Sequence, residues 1–149
     1  MNFEAEGLGM SDIFHVSKLI RFQHCDPAGI VFYPQYFVLF HEVIEDWFYN
    51  GLQLKFADLI VEKRFGAPTV DIRAQFLAPS RLGETLEFSL LVRKIGGHSI
   101  DLNLAASAGE KVRARIEQTL VLFSFDTGQS IPVPDDLRES MLRFCSEKA

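Results

Sequence analysis

The chain has 149 residues, 48% of them hydrophobic and 23% charged, and its formal net charge is −5. Its length suits one domain around one core, and the composition is ordinary for a soluble globular protein. The acidic balance argues against a nucleic-acid-binding protein, because phosphate affinity comes from clustered Lys and Arg, and no apolar stretch reaches transmembrane length. We therefore expect neither nucleic acid nor a membrane as a partner.

Residues 1–12 are acidic, contain Gly and have few apolar side chains, which predicts a flexible segment. They lack the basic and apolar regions of a secretory signal peptide. We predict that residues 13–149 form a single domain. Cys25 and Cys145 fit neither a metal-ligand spacing nor a disulfide framework. Reduced thiols in a cytoplasmic protein are the simplest interpretation, and we expect neither a metal nor an organic cofactor.

The first predicted strand spans residues 13–23, where apolar and polar residues roughly alternate. Turn-forming residues follow it at 26–29. Pro34 suits the first turn of a helix, where its missing N–H is tolerated, and Gly51 is a signal for the end of that helix. Side chains at helical spacing beyond Pro34 predict one broad buried stripe: Phe37, Phe40, His41, Ile44, Trp47 and Phe48.

A shorter helical segment is predicted at 56–64, and beyond Gly66 the hydrophobic period changes to two. Short hairpin connections separate the strands that follow, and a short helix is predicted near the end. The predicted strands span residues 68–77, 84–94, 99–108 and 111–125, and the last helix spans 135–144. These elements predict an α+β fold with the long helix on one face of an antiparallel sheet. About five strands curled around one long central helix form the hotdog fold, which we therefore expect.

Asp26 lies at the end of the first predicted strand, in a loop that leads into the long helix. A helix N-terminus favours negative charge, because its first N–H groups are unpaired and the helix dipole points there. Thioester hydrolysis needs an attacking oxygen and donors for the oxyanion that forms. A carboxylate either attacks directly or activates water. Asp26 and the helix start are therefore a workable site, although an isolated Asp-Pro more often makes only a turn.

Residues 25–36, with the sequence CDPAGIVFYPQY, resemble the signature of the 4-hydroxybenzoyl-CoA thioesterase family, which comprises Asp-dependent hotdog enzymes. The resemblance implies that Asp26 is the catalytic carboxylate and that the amide of Tyr33 polarises the thioester carbonyl. It also implies that Phe32, in the aromatic entry to the helix, lies beside the substrate. Residues 66–70 resemble the family's pocket-edge strand, which implies three further substrate contacts: Ala67, Pro68 and Thr69.

Two regions depart from that family. His41 stands where aryl-specific relatives carry an acidic side chain that meets the substrate phenol. It is therefore either a hydrogen-bond partner of a ring hydroxyl or a histidine of the core. Gly97 and His98 fall where those relatives carry a basic cluster near the CoA phosphates. Lys55 and Arg93 are candidates to replace that cluster, although solvated surface charge is the commoner role of such residues.

The resemblance implies a thioesterase for a 4-hydroxybenzoyl-CoA-like substrate, and we expect a homotetramer arranged as a dimer of dimers. Two other functions stay open. One is hydrolysis of a short or medium aliphatic acyl-CoA or acyl carrier protein thioester. Hotdog thioesterases that act on such aliphatic substrates carry a His a few residues after the catalytic Asp. This chain has no His between Asp26 and Tyr36, which favours the aryl-CoA branch. The other is a hotdog module that binds acyl-CoA without hydrolysis, which is disfavoured because a binding protein needs no carboxylate beside the thioester.

Overall fold

The computed structural model describes residues 12–145. Within them, two α-helices are α1 (Tyr33–Asp46) and α2 (Asp135–Leu142). The strands are β1 (Phe14–Leu19), β2 (Phe65–Gly66), β3 (Thr69–Phe76), β4 (Thr85–Ile95), β5 (Ser99–Ala108), β6 (Lys111–Val121), β7 (Phe123–Ser124) and β8 (Gln129–Ser130). The main sheet is antiparallel, in the order β1-β4-β5-β6-β3, and a small second sheet has the order β2-β7-β8.

Helix α1 packs against one face of the main sheet, as predicted. The inward side chains of β4 alternate with outward ones, as period two requires, and all four are fully buried: Leu86, Phe88, Leu90 and Val92. The ring of Phe40 in α1 meets that of Phe88 edge to face, with 5.5 Å between centroids. Because burial of each such side chain contributes about 1.5–3 kcal/mol, the position of the helix on the sheet is strongly determined.

The long helix ends where its sequence predicts. After Asp46 the chain continues as one wider, π-helical turn, Trp47–Gly51. A Cβ atom at Gly51 would lie 2.6 Å from Cδ1 of Trp47, whose indole is fully buried. Glycine is therefore required at this position by lack of space beside the indole. The segment predicted as helical at 56–64 is likewise a π-helical turn, Ala57–Glu62.

Two predicted strand ends are wrong. The first strand stops at Leu19, because Phe22–His24 forms a 3₁₀ turn in which Nδ1 of His24 accepts a hydrogen bond from the Arg21 amide at 2.9 Å. The strand predicted at 111–125 divides after Val121. Beyond that point β7 leaves the main sheet and pairs with β2 and β8, so the backbone partners change.

The predicted flexible segment lies outside the described residues, except for its last member. The amide of Asp12 donates to the carbonyl of Arg143 at 2.8 Å. In the part of the chain that is described, none of the helices combines the length and the apolar character needed to span a membrane.

Candidate active site

The Asp26 loop, residues 25–31, is a tight turn held by its own backbone. The amide of Asp26 donates to the carbonyl of Ile30 and the amide of Gly29 to the carbonyl of Asp26, both at 2.9 Å. Gly29 has a φ of +79°, a conformation that glycine adopts without strain. Oδ1 of Asp26 accepts a hydrogen bond from the amide of Ala28 at 2.9 Å. The half-buried carboxylate is thus oriented by the loop that carries it.

The N-terminus of α1 follows this loop directly and offers an unused donor. The residue before the helix, Phe32, has an extended backbone and makes no side-chain cap. Pro34 has no N–H, and the amide of Gln35 is bonded to the carbonyl of Phe32 at 2.8 Å. Among the described residues, no backbone or side-chain oxygen accepts a hydrogen bond from the amide of Tyr33. That amide is therefore available to an oxyanion.

Two other side chains near Asp26 are less suited to attack a thioester. Burial raises the pKa of the Cys25 thiol, and the neighbouring Asp26 carboxylate raises it further. Burial lowers the pKa of His24, and Nδ1 of its ring is already an acceptor for the amide of Arg21. A protonated thiol and a neutral, engaged imidazole leave the carboxylate as the best candidate nucleophile or base in this loop.

An aromatic side chain from the sheet edge covers the first turns of α1. The ring of Phe76, at the end of β3, lies 5.8 Å from that of Tyr33, 5.7 Å from that of Tyr36 and 5.9 Å from that of Phe37. Such tilted and edge-to-face contacts stabilise aromatic pairs beyond their burial. The sequence pattern placed Phe76 on a strand but did not indicate that it packs on the helix start.

A cavity of about 670 Å³ lies along the second half of α1. Its helix side is formed by His41, Ile44 and Phe48. Its other walls come from the 54–68 segment, the end of β6, β7 and the start of α2. These walls are mostly apolar and include Leu54, Phe56, Leu59, Ile60, Phe65, Leu120, Leu122, Phe123 and Leu137. A cavity of this size and character suits an apolar organic group.

Three of the predicted substrate contacts meet at this cavity, because His41, Ala67 and Pro68 all line it. His41 is exposed, whereas the helical pattern predicts that it lies on the engulfed face of α1, and it lines the cavity from this exposed position. Thr69 lies next to Pro68, and its Oγ1 accepts a hydrogen bond from Nε2 of Gln118 at 2.7 Å. Among the described residues that line the cavity, none belongs to the Asp26 loop or to the first turn of α1.

The other predicted substrate contacts are dispersed. Lys55 is exposed at the start of the segment that forms one cavity wall. Arg93 lies 3.9 Å from Asp101 on the outward face of the sheet. The carbonyl of Gly97 accepts from the amide of Val133 at 2.9 Å, and Nδ1 of His98 lies 3.0 Å from Oγ of Ser130. These residues do not gather around Asp26 within one chain.

A polar cluster that the sequence did not indicate lies beside the Asp26 loop. The guanidinium of Arg113 forms two hydrogen bonds with the carboxylate of Glu84, at 2.9 and 3.0 Å. Arg113 also donates to Oγ of Ser80 at 3.2 Å, and the hydroxyl of Tyr36 donates to the same oxygen at 2.6 Å. Burial raises the pKa of Tyr36, so its hydroxyl stays a donor. No sequence spacing links these four residues, since their contact depends on strand register.

Comparison with known proteins shows what this arrangement resembles. A model of the thioesterase-like superfamily matches residues 20–141. The 1,4-dihydroxy-2-naphthoyl-CoA hydrolase of Nostoc punctiforme is 24% identical over 124 residues, which are 83% of each chain. The solved structure of a 1,4-dihydroxy-2-naphthoyl-CoA thioesterase from Synechocystis has a TM-score of 0.79 at 22% identity, over 87% of this chain and 96% of its own. A gentisyl-coenzyme A thioesterase has a TM-score of 0.73 at 25% identity, over 85% and 99%. The predicted hotdog fold is confirmed by this likeness.

The Glu84–Arg113 ion pair should make the free energy of unfolding depend on pH. Hydrogen bonds from the Arg113 guanidinium and, to a lesser extent, from the backbone amide of Arg81 lower the pKa of Glu84 from 4.5 to about 2. A carboxyl whose pKa is lower in the folded state stabilises the fold above its ordinary pKa, and this contribution is lost as the pH falls through the folded value. We expect Glu84→Gln to be less stable than the wild type at pH 7. The difference in free energy of unfolding should narrow as the pH falls from 4.5 towards 2.

Denaturant unfolding at a series of pH values measures this difference. Glu110→Gln, at an exposed position in the β5–β6 turn, is the matched control and should show little difference at any pH. A stability difference for Glu84→Gln that does not change with pH would show that the ion pair is not its origin.

Proposed function

This chain belongs to the thioesterase-like superfamily, and from that membership we propose that it hydrolyses an aryl-CoA thioester to the free acid and CoA. The predicted thioesterase activity is confirmed at the level of this family. The observation that carries the finer proposal is the placement of Asp26 in the loop directly before an uncapped helix N-terminus, whose Tyr33 amide is a free donor. These two groups supply what thioester hydrolysis requires, namely an attacking oxygen or base and an oxyanion donor.

The proposed reaction proceeds in one of two ways. In the first, a carboxylate oxygen of Asp26 attacks the carbonyl carbon, the C–S bond breaks, and CoA leaves as the thiolate; water then hydrolyses the mixed anhydride. In the second, Asp26 takes a proton from water as that water attacks the same carbon, the C–S bond then breaks, and CoA leaves as the thiolate and receives the proton from Asp26. In both, the Tyr33 amide donates to the carbonyl oxygen as negative charge develops on it. The loop hydrogen bond from Ala28 holds one carboxylate oxygen and leaves the other free to react.

The cavity along α1 is the proposed site of the acyl group. His41 in its lining suits a hydroxyl on an aromatic ring, and Ala67 and Pro68 form its edge beside the start of β3. Two relatives are named for hydroxylated aromatic substrates, the naphthoyl-CoA hydrolase and the gentisyl-coenzyme A thioesterase, which supports an aryl group here. A volume of about 670 Å³ accepts either a single ring, as in 4-hydroxybenzoyl-CoA, or a two-ring acyl group.

A second candidate function is hydrolysis of an aliphatic acyl-CoA or acyl carrier protein thioester. The observation that favours it is the lining of the cavity, which is mostly apolar, with His41, Lys63 and Asp136 as its polar side chains. Nothing in such a lining demands an aromatic group, because apolar contacts are not directional. A hotdog module that binds acyl-CoA without turnover is the least supported alternative, because it gives no role to a carboxylate beside the helix N-terminus.

We further propose that the working enzyme is a homotetramer, built as a dimer of dimers. Strand β3 is an edge of the main sheet and is exposed over nearly its whole length, including Val70, Ile72 and Phe76. An exposed apolar edge strand attracts another strand, and pairing with a second copy would cover it. The same contact would bring a partner subunit beside Phe32 and Tyr33, whose rings are also exposed. A partner surface at this position would cover the space between the Asp26 loop and the cavity, so that one substrate could occupy both.

The CoA moiety is proposed to contact the remaining residues. Lys55 lies in the segment that forms a cavity wall, and it is free to reach a phosphate from there. Arg93, Gly97 and His98 lie at or next to the β4–β5 connection, and in an oligomer they would serve the CoA bound to a neighbouring subunit. Thr69 begins the edge strand and would lie where two subunits meet.

Asp26→Asn is expected to fold normally and to lose about a hundredfold or more in kcat, because an amide oxygen is a poor nucleophile and a poor base. The measurement is thiol release from a panel of aryl-CoA and aliphatic acyl-CoA esters. Asp126→Asn, at an exposed turn position, is the control and should keep the wild-type rate. Near-wild-type turnover by pure Asp26→Asn would refute the assignment.

His41→Ala is expected to change substrate preference more than turnover. If the imidazole bonds a ring hydroxyl, its loss should narrow the rate ratio of hydroxybenzoyl-CoA to benzoyl-CoA by up to about tenfold, since such a bond is worth about 0.5–1.5 kcal/mol. Glu45→Ala, one turn further along α1 and half-buried, is the control for effects on the helix. An unchanged ratio with lower stability would make His41 a packing residue.

Ile72→Lys on the edge strand is expected to break the oligomer and to lower turnover with it. A Lys side chain on an edge strand opposes strand pairing at modest cost to the subunit's own fold. Light scattering after gel filtration measures the mass, and circular dichroism checks the fold. Val61→Lys places the same charge at another exposed aliphatic position and should leave the mass unchanged. A fully active wild-type monomer at micromolar concentration would contradict the proposed assembly.

A further inference from the structure

The Asp26 loop is paired along one side with a second loop, residues 79–84. The amide of Val31 donates to the carbonyl of Ser80 at 2.8 Å, and the amide of Leu82 donates to the carbonyl of Gly29 at 2.9 Å. An isolated bridge joins Ile30 to Arg81 between them. The two loops thus form a short ladder outside the main sheet. The geometry of the carboxylate loop depends on where the 79–84 loop is held.

Arg113 holds that second loop to the main sheet. It belongs to β6, and its side chain is only 13% exposed. Its guanidinium donates to the carbonyl of Pro79 at 2.9 Å and to both carboxylate oxygens of Glu84. Arg113 therefore binds both ends of the 79–84 loop. A two-pronged guanidinium–carboxylate contact fixes direction as well as distance, because both groups are planar.

The same cluster reaches the oxyanion side of the site through Ser80. Its hydroxyl oxygen accepts hydrogen bonds from Tyr36 and from Arg113, and both Ser80 and Tyr36 are almost fully buried. Tyr36 lies one turn after Tyr33 in α1. One buried hydroxyl thus connects the turn of helix that presents the free amide to the loop that supports Asp26.

We propose that Tyr36, Ser80, Glu84 and Arg113 form a positioning cluster that sets the distance and direction between the Asp26 carboxylate and the Tyr33 amide. This proposal rests on the proposed function, because the role of the four residues is defined relative to Asp26 as the catalytic carboxylate. These four side chains act through other groups and do not touch the reacting atoms. The Glu84–Arg113 pair is partly buried, with the Arg113 side chain 13% and the Glu84 side chain 34% exposed, so it contributes to stability and also fixes the direction of both groups. Its value here is geometric, since a misplacement of about 1 Å in a catalytic group costs about a hundredfold in rate.

Tyr36→Phe tests the cluster with a minimal change, because it removes one hydroxyl and keeps the ring against Phe40 and Phe76. We expect kcat to fall about tenfold, with KM changed by no more than about twofold. The decisive measurement is the same substitution in the Asp26→Asn background. If Tyr36 acts through Asp26, the residual rate of Asp26→Asn should not fall further, so the two effects should not add.

Arg113→Met is the second variant, and Lys18→Met is its matched control. Lys18 is 18% exposed and its Nζ lies 2.9 Å from Oδ2 of Asp46, towards the opposite end of α1. Both variants should lower the melting temperature, but only Arg113→Met should lower kcat, and only in the chain that retains Asp26. Two results would overturn the positioning role. One is that Arg113→Met lowers the rate by the same factor in the wild type and in Asp26→Asn. The other is that Arg113→Met lowers the melting temperature and leaves kcat unchanged. A wild-type rate in Asp26→Asn alone would instead reject the proposed function, and the positioning role with it.

Discussion

The structure depends on one constraint, which is that a single helix must cover the apolar face of a five-stranded sheet. The buried residues begin at Tyr36 in α1 and continue at helical spacing to Phe48 in the π-helical turn after it, so one face of the helix is covered from its second turn onward. Its first turn is only partly covered, by the ring of Phe76, and the rings of Phe32 and Tyr33 stay exposed. The packing that holds the helix in place therefore also leaves its N-terminus accessible, and the Asp26 loop leads directly into that terminus.

The accessible terminus breaks a local rule of helix design. Ser, Thr, Asp or Asn is favoured at the position before a helix, and their absence costs about 1 kcal/mol. Phe32 occupies that position, and Pro34 removes one further donor. A capping side chain would have little to bond here, because Pro34 has no N–H and the amide of Gln35 already donates to the carbonyl of Phe32, so the amide of Tyr33 is left as the free donor. Local departures of this kind are expected where a protein binds or reacts, and the burial of α1 compensates for the loss.

The sequence predicts the fold better than the site. The limits of β4 and β5 follow from period-two alternation, because one face of each is fully buried. The early end of β1 and the break after Val121 could not be predicted, since they depend on the His24 ring and on pairing with β2. Asp26 could be proposed as a site residue because its loop is a contiguous motif. The pairing of Glu84 with Arg113 could not, because 29 residues separate them and only strand register brings them together. The exposure of His41 depends on where the cover of the helix ends, which helical spacing does not show.

The order of strands in the sheet has a consequence for how activity is acquired during folding. Strands β4, β5 and β6 are neighbours in both sequence and space, so they can assemble with short loops and little loss of chain entropy. Strand β1, in contrast, pairs with β4 across a long loop, with Ser17 and Glu87 separated by 70 residues. Contacts so distant in sequence form slowly. The Asp26 loop lies between β1 and α1 and is hydrogen-bonded to residues 79–84. Its shape is therefore completed only when β1 pairs with β4. With Asp26 as the proposed catalytic carboxylate, we therefore expect a refolding chain to regain its sheet signal before it regains thioesterase activity.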